Sequence, residues 1–351
     1  MKKSDDKDRN AIIDVLRGLG IMLVVYAHAC LPGAIIIEYF HMPLFFFISG
    51  TVASKSTVKK TVIGYIKKYY MPLITIQILL IPLHNLFWKM GIESEKYSSY
   101  YQYFRDALGV LLLDVRVRCV SQVWFLMILG IDYILIRFMI CLFETKPTAF
   151  LLVAVGCATI TWILPHAFYA NTYPIQLIGI ALFWSSIGYL FIMNKDTIIQ
   201  AVKSRWIKGP AGVCFAIIIL LGGYLSLYIL GFKIGYRGLD FSCGYLATFL
   251  IAFFGIVLCG IISIIITKHG IGALEWIGKN TMLIFFLHPL AIDILGSTLL
   301  ITGVMKDNTN WIVLFRESFW PYISFVVGMA VPCTVILFYH MKNRYKEKSF
   351  S

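Results

Sequence analysis

The chain has 351 residues, of which 59% are hydrophobic and only 14% charged, with a mean hydropathy of +0.80. Soluble domains run near ~25% charged residues, so this composition excludes a soluble globular protein and points to a multi-pass membrane protein. The net charge of +13 is not a nucleic-acid footprint, because no basic domain lies outside the apolar runs; it fits loop charges facing anionic lipid.

Ten apolar runs are long enough to cross a bilayer: 12–31, 35–53, 69–88, 122–141, 149–167, 174–193, 210–230, 245–266, 280–302 and 319–340. The expected fold class is all-α, a polytopic membrane helical bundle of about ten transmembrane helices. Residues 12–340 form one membrane domain, flanked by tails 1–11 and 341–351. Lysine and arginine favour the segments on the side of the two ends by about two to one, which predicts that both termini are cytoplasmic.

The first run carries Asp14, Arg17 and His28. At about 100° per residue, Arg17 and His28 are three turns plus roughly 20° apart, so all three share one stripe. The stripe is roughly 16 Å long from Arg17 to His28, reaching from near the inner face into the outer third of a ~30 Å core. Such a stripe must face protein or water, and ionisable groups at this depth are functional candidates. The plainer reading is an interfacial Asp14–Arg17 pair with Arg17 snorkelling to headgroups. Ala27-His28-Ala29 faintly resembles a signal-peptide cleavage site, but Asp14 and Arg17 interrupt the apolar run too early for one.

After a tight Pro32-Gly33 turn comes the second run, with His41 about two turns in, at a level where it could meet His28. Met42-Pro43 predicts a kink, Phe45 to Phe47 read as packing, and Ser49-Gly50 as a small close-packing site. The segment 54–68 reads as an inner loop rich in lysine, with Lys67 and Lys68 at its end. The outer segment 89–121 holds Tyr100, Tyr101, Tyr103 and Phe104, which suit an interfacial helix or, alternatively, a sugar-binding lid. Trp124 opens the fourth run. Asp132 and Arg137 are five apart, on different faces, and read as packing or topology. His84 and His166 fall near outer ends, where histidine is easily solvated, and the outer loop 231–244 offers Lys233, Arg237 and Asp240 as acceptor contacts. The ninth run buries His288 about 12 Å from its inner end, with Asp293 beyond, and Pro289 suggests a break between them. The eight cysteines form no metal-ligand spacing, so no metal site is expected; Cys119 and Cys243 fall in outer loops where they could pair.

Asp14, Leu16-Arg17-Gly18, His28 and the stretch His41-Met42-Pro43-Leu44-Phe45-Phe46-Phe47-Ile48-Ser49-Gly50 together resemble the start of the acyltransferase-3 family of integral-membrane acyltransferases. Trp276-Ile277-Gly278-Lys279-Asn280-Thr281 through His288-Pro289 is similar to that family's next-to-last span. The resemblance is to the stand-alone members that acetylate bacterial surface polysaccharides, which implies a multi-pass protein of the bacterial cytoplasmic membrane. It implies acetyl-CoA as co-substrate, no permanently bound cofactor, and a surface polysaccharide or its lipid-linked precursor as acceptor. It also implies catalysis at His28 and donor contacts at Arg17, with Asp14 paired to it. It implies donor contacts at Lys67 and Lys68 as well, where relatives place donor-binding arginines; a lysine keeps the charge but loses the bidentate geometry. His41, Ser49, Trp124 and His288 are implied as site-lining positions.

The expected activity is thus transmembrane O-acetyl transfer, with His28 acting either as general base or as a transient acyl carrier. Two alternatives need no coenzyme: a transporter or flippase for a lipid-linked glycan, and a membrane sensing module without chemistry.

Overall fold

The computed structural model describes residues 2–92, 95–112, 123–143, 146–163, 177–195, 218, 221–223, 225, 229–231, 234–235, 240–241, 244–270, 272–302 and 319–349. In hydrocarbon a backbone must satisfy its own hydrogen bonds, and the described residues do so almost wholly as helix. In chain order the helices are α1 (Lys2–His28), α2 (Ala34–Glu38), α3 (His41–Thr51), α4 (Val58–Tyr65), α5 (Met71–Leu80), α6 (His84–Lys89), α7 (Tyr100–Leu111), α8 (Val123–Phe143), α9 (Pro147–Ile163), α10 (Leu177–Met193), α11 (Tyr245–Lys268), α12 (Gly272–Lys279), α13 (Thr281–Ile301) and α14 (Trp320–Ser349). One short antiparallel rung pairs Ile234–Gly235 with Asp240–Phe241.

Seven helical stretches among the described residues are long and apolar enough to cross a membrane: Ala11–His28, Ala34–Thr51, Val58–Lys89, Trp124–Phe143, Tyr245–Lys268, Thr281–Leu299 and Trp320–Lys342. Pro147–Thr161 and Leu177–Met193 are apolar but shorter, and coincide with the expected runs 149–167 and 174–193. The expected run 210–230 lies mostly outside the described residues, as do Cys119, Cys243, His166, Lys233 and Arg237.

Three local expectations are corrected. The segment 54–68 is not a loop throughout: helix begins at Val58, where the Thr57 hydroxyl accepts the Lys60 N–H at 3.4 Å. The lysines project from a helix, where their aliphatic stems cover apolar surface. Pro43 does not kink a helix. It sits in the first turn of α3, where a missing N–H breaks no intrahelical bond, and the chain turns ahead of it at Tyr39-Phe40. Pro289 lies inside α13, which runs unbroken past it.

The helices divide into two units. The first contains residues 1–37, 82–99 and 259–351, and the second 38–81 and 100–258. In the first, α1 packs against α12, α13 and α14, and α13 runs along α14. A Cβ on Gly18 would strike the Leu274 carbonyl, and one on Gly278 the Asp14 carbonyl, so α1 and α12 touch backbone to backbone. In the second, α10 packs against α3, α8 and α9. Gly50 abuts the Ser185 carbonyl and Gly188 the Phe47 carbonyl, which bears out the close-packing reading of Ser49-Gly50. Ile136, Met139, Ile140, Phe150, Ala154 and Leu182 form an apolar core there. On α7, Tyr100, Tyr101 and Phe104 are exposed while Asp106 and Val110 are buried, the two-faced pattern of an interfacial helix.

Candidate functional site

The site in the first unit is built at the end of α1. Cys30 adopts a left-handed φ of 57°, its N–H donates to the Ala27 carbonyl at 3.0 Å, and the Leu31 N–H donates to the Tyr26 carbonyl at 3.4 Å. These are the two bonds of a Schellman cap, which makes His28 the last helical residue and fixes its backbone. The Tyr26 hydroxyl ties the following turn down by donating to the Pro32 carbonyl at 2.6 Å.

His28 Nδ1 lies 2.8 Å from Nε2 of His288, a residue wholly buried on α13. The ring planes are 7° apart and the ring centres 5.1 Å. That separation leaves just the two centre-to-nitrogen distances beyond the N···N contact, so the rings meet edge to edge in one plane rather than face to face. His288 Nδ1 is 2.9 Å from the Ile284 carbonyl, which can only accept, so that nitrogen carries the proton. With one proton on the ring, His288 Nε2 presents a lone pair, and His28 Nδ1 must donate to it. The proton of His28 is therefore held on Nδ1, and its Nε2 carries the lone pair. A partner that fixes tautomer and ring direction is what a catalytic histidine requires.

Three turns below, Arg17 donates to Asp14 Oδ1 at 3.1 Å, and both side chains are partly exposed. The glycine contact brings Leu16-Arg17-Gly18 against Trp276-Ile277-Gly278, so the two stretches singled out in the sequence meet in space. Lys279 follows at once. Its hydrogen bond from the ammonium to Glu275 holds it above the usual lysine range, with the Asp14 charge adding to the effect. Asn280 Nδ2 donates to the Trp276 carbonyl at 2.8 Å, and its Oδ1 lies 3.3 Å from His340 Nε2 on α14.

The remaining expected residues belong to the second unit. His41 opens α3 and is half-buried. Trp124, near the start of α8, is half-buried and packs edge-on against Phe125, their ring centres 6.2 Å apart. Lys67 and Lys68 lie in a single π-helical turn, Ile66–Tyr70, whose wider spacing shows in the Met71 N–H donating to the Ile66 carbonyl. Lys68 Nζ sits over the Tyr133 ring, 5.5 Å from its centre. Ser49 is buried near the carboxyl of Asp132, which is itself fully buried and accepts the Ser185 hydroxyl at 2.6 Å. Its Oδ2 has no hydrogen-bond partner among the described residues. Arg137 and Tyr133 were not expected to matter. Their i, i+4 spacing on one helix face was the readable signal for the ring–cation stack they form.

No curated protein and no solved structure matches the chain. Residues 10–339 match the family model described as an acyltransferase domain, which covers nearly the whole sequence and both stretches that meet at Gly18 and Gly278. The chain therefore belongs to the acyltransferase-3 family, and is a membrane acyltransferase.

Proposed function

We propose that this protein is a transmembrane O-acetyltransferase that moves an acetyl group from cytoplasmic acetyl-CoA to a hydroxyl of a bacterial surface polysaccharide or its lipid-linked precursor. The observation that carries the reading is the in-line His28–His288 bond, which holds a lone pair on His28 Nε2. Donor class and acceptor class come from the family resemblance; the chemistry comes from the geometry.

In this mechanism the acceptor hydroxyl oxygen attacks the thioester carbonyl carbon while its proton passes to His28 Nε2. The carbon–sulfur bond then breaks, and the coenzyme thiolate leaves with that proton. His288, a positioning residue, keeps the His28 Nδ1–H engaged, so the ring becomes positively charged without losing its hydrogen bond. Arg17, three turns back along the same helix, is about 16 Å away along the axis, a span suited to a donor with its charged end at Arg17 and its thioester near His28. Asp14 holds the guanidinium in place for that contact.

The test uses purified full-length protein in lipid nanodiscs with radiolabelled acetyl-CoA and a glycan acceptor. Label passes to the glycan with wild type and not with His28→Ala. Transfer by a folded His28→Ala variant at the wild-type rate removes His28 from the mechanism, and the absence of any transfer by wild type removes the proposed reaction.

A further inference from the structure

A closely tied segment, residues 84–97, belongs to the same unit as α1. Of the stretches that can cross a membrane, Ala34–Thr51 takes the chain away from the face where α1 ends, and Val58–Lys89 returns it there. Lys89 therefore emerges on the side of His28. Residues 95–98 are not helical and are mostly exposed, so they lie outside the hydrocarbon. They are held in place all the same. Asn85 Oδ1 accepts the Tyr97 N–H at 2.8 Å, and Asn85 Nδ2 donates to the Tyr97 carbonyl at 3.1 Å. His84, only 5% exposed, lies face to face on the Tyr97 ring with centres 3.4 Å apart, and its Nε2–H donates to the Glu95 carbonyl at 2.8 Å.

These ties fix the backbone on both sides of Lys96. Its ammonium sits over the Trp88 ring, 5.6 Å from the centre, and Trp88 is 37% exposed. Trp88 comes four residues after His84, on the same face of α6. An interfacial anchor alone needs neither the Asn85 clamp nor a cation held on the ring. An exposed cation–π contact is worth only about 0.5–1 kcal/mol, so the ammonium can turn to a carboxylate while the indole stays in place. The segment thus offers a flat apolar face beside a placed positive charge, and the exposed Glu95 carboxylate, next in the chain, accepts from hydroxyl groups. A ligand that uses all three has an apolar face, hydroxyls and a negative charge. That is the chemistry of an acidic sugar.

We infer that Trp88 and Lys96 form a subsite for an acidic sugar residue of the acceptor glycan, on the side of the membrane where α1 ends. Its part in transfer rests on the reaction proposed above; binding of the sugar does not.

The full chain in phosphatidylcholine nanodiscs is titrated by calorimetry with trigalacturonate and with the same trisaccharide after reduction of its carboxyl groups. Wild type binds trigalacturonate about threefold to fivefold more tightly than the reduced sugar, the range of an exposed ion pair. Lys96→Gln removes that preference. Trp88→Ala weakens binding of both sugars about tenfold, as truncation of an aromatic anchor does, and Trp88→Phe, which keeps a ring, loses less. Should Trp88→Ala fail to fold, Lys96→Gln at the exposed position carries the test alone. A membrane-anchoring role by itself leaves the preference between the two sugars untouched. The subsite is overturned if wild type does not bind trigalacturonate, if it binds both sugars equally, or if folded Lys96→Gln keeps the preference. His28→Ala tests the separate reading: it abolishes transfer and leaves sugar binding intact. Wild type that binds trigalacturonate with this preference yet acetylates no glycan removes the proposed reaction and retains the subsite.

Discussion

Replacing His288 tests the orienting bond most directly. His288→Leu keeps the volume of a fully buried side chain but offers no acceptor, so the His28 Nδ1–H loses its bond to His288. Losing a hydrogen bond at half-buried His28 costs about 0.5–1.5 kcal/mol. The ring is also released to place its proton on Nε2, where it blocks the base. At about 1.4 kcal/mol per tenfold in rate, kcat is expected to fall roughly tenfold to a hundredfold. KM for acetyl-CoA is expected to hold, because His288 meets His28 and Ile284 rather than the donor. His288→Gln restores most of the rate, since its amide oxygen takes the place of the lost nitrogen acceptor. Initial rates of label transfer in nanodiscs read all three quantities. The reasoning fails if His288→Leu retains wild-type kcat, or if Gln is no better than Leu in variants of equal melting temperature.

The glycine contact between α1 and α12 predicts that Gly18→Ala and Gly278→Ala each lose about 2 kcal/mol or more, because the obstructing atoms are backbone carbonyls. Gly156→Ala, with open space around it, is expected to be neutral or slightly stabilising; thermal unfolding of the three compares them. Asn85 holds the Tyr97 backbone by two hydrogen bonds, at 2.8 and 3.1 Å, so Asn85→Ala is expected to speed protease cleavage near Tyr97 several-fold without changing kcat. The Lys279–Glu275 pair is exposed, so Glu275→Gln is expected to lower stability by only a few tenths of a kcal/mol. Because the bond raises the Lys279 value, that loss is present below the ordinary lysine value near ~10.4 and disappears as pH rises through the folded one. Melting curves from neutral to strongly alkaline pH would show a constant gap if the pair contributed nothing.

Local features were legible in the sequence, and contacts across long separations were not. The Asp14–Arg17 pair follows from a three-residue spacing on a helix, and the Pro32-Gly33 turn from its two residues. Thr57 ahead of Val58 was a readable cap, overridden by the weight given to lysines in an apolar chain. Hydropathy and depth suggested a level for His28 but not a partner. His41 drew attention because a short turn joins its helix to α1, whereas His288 stands 260 residues away in sequence. The same limit hid the Gly18–Gly278 contact, though each glycine sat in a stretch already singled out. A five-residue spacing set Asp132 and Arg137 on different faces, and that comparison passed over Tyr133, which shares a face with Arg137.

Whether His28 acts as a base or carries the acetyl group itself turns on whether its ring can move. A carrier that loads on one side and unloads on another must swing, and here the backbone is capped while Nδ1 is bonded in the ring plane. Rotating the imidazole breaks that bond and takes the donor away from the buried His288 Nε2, at about 1–3 kcal/mol before any chemistry begins. A base needs no such motion, since hydroxyl and thioester come to a fixed lone pair. The protein incubated with labelled acetyl-CoA and no glycan is therefore expected to gain no hydroxylamine-labile label. One acetyl per chain, lost in His28→Ala and passed to glycan added later, would establish the carrier route and show that the His288 bond opens during turnover.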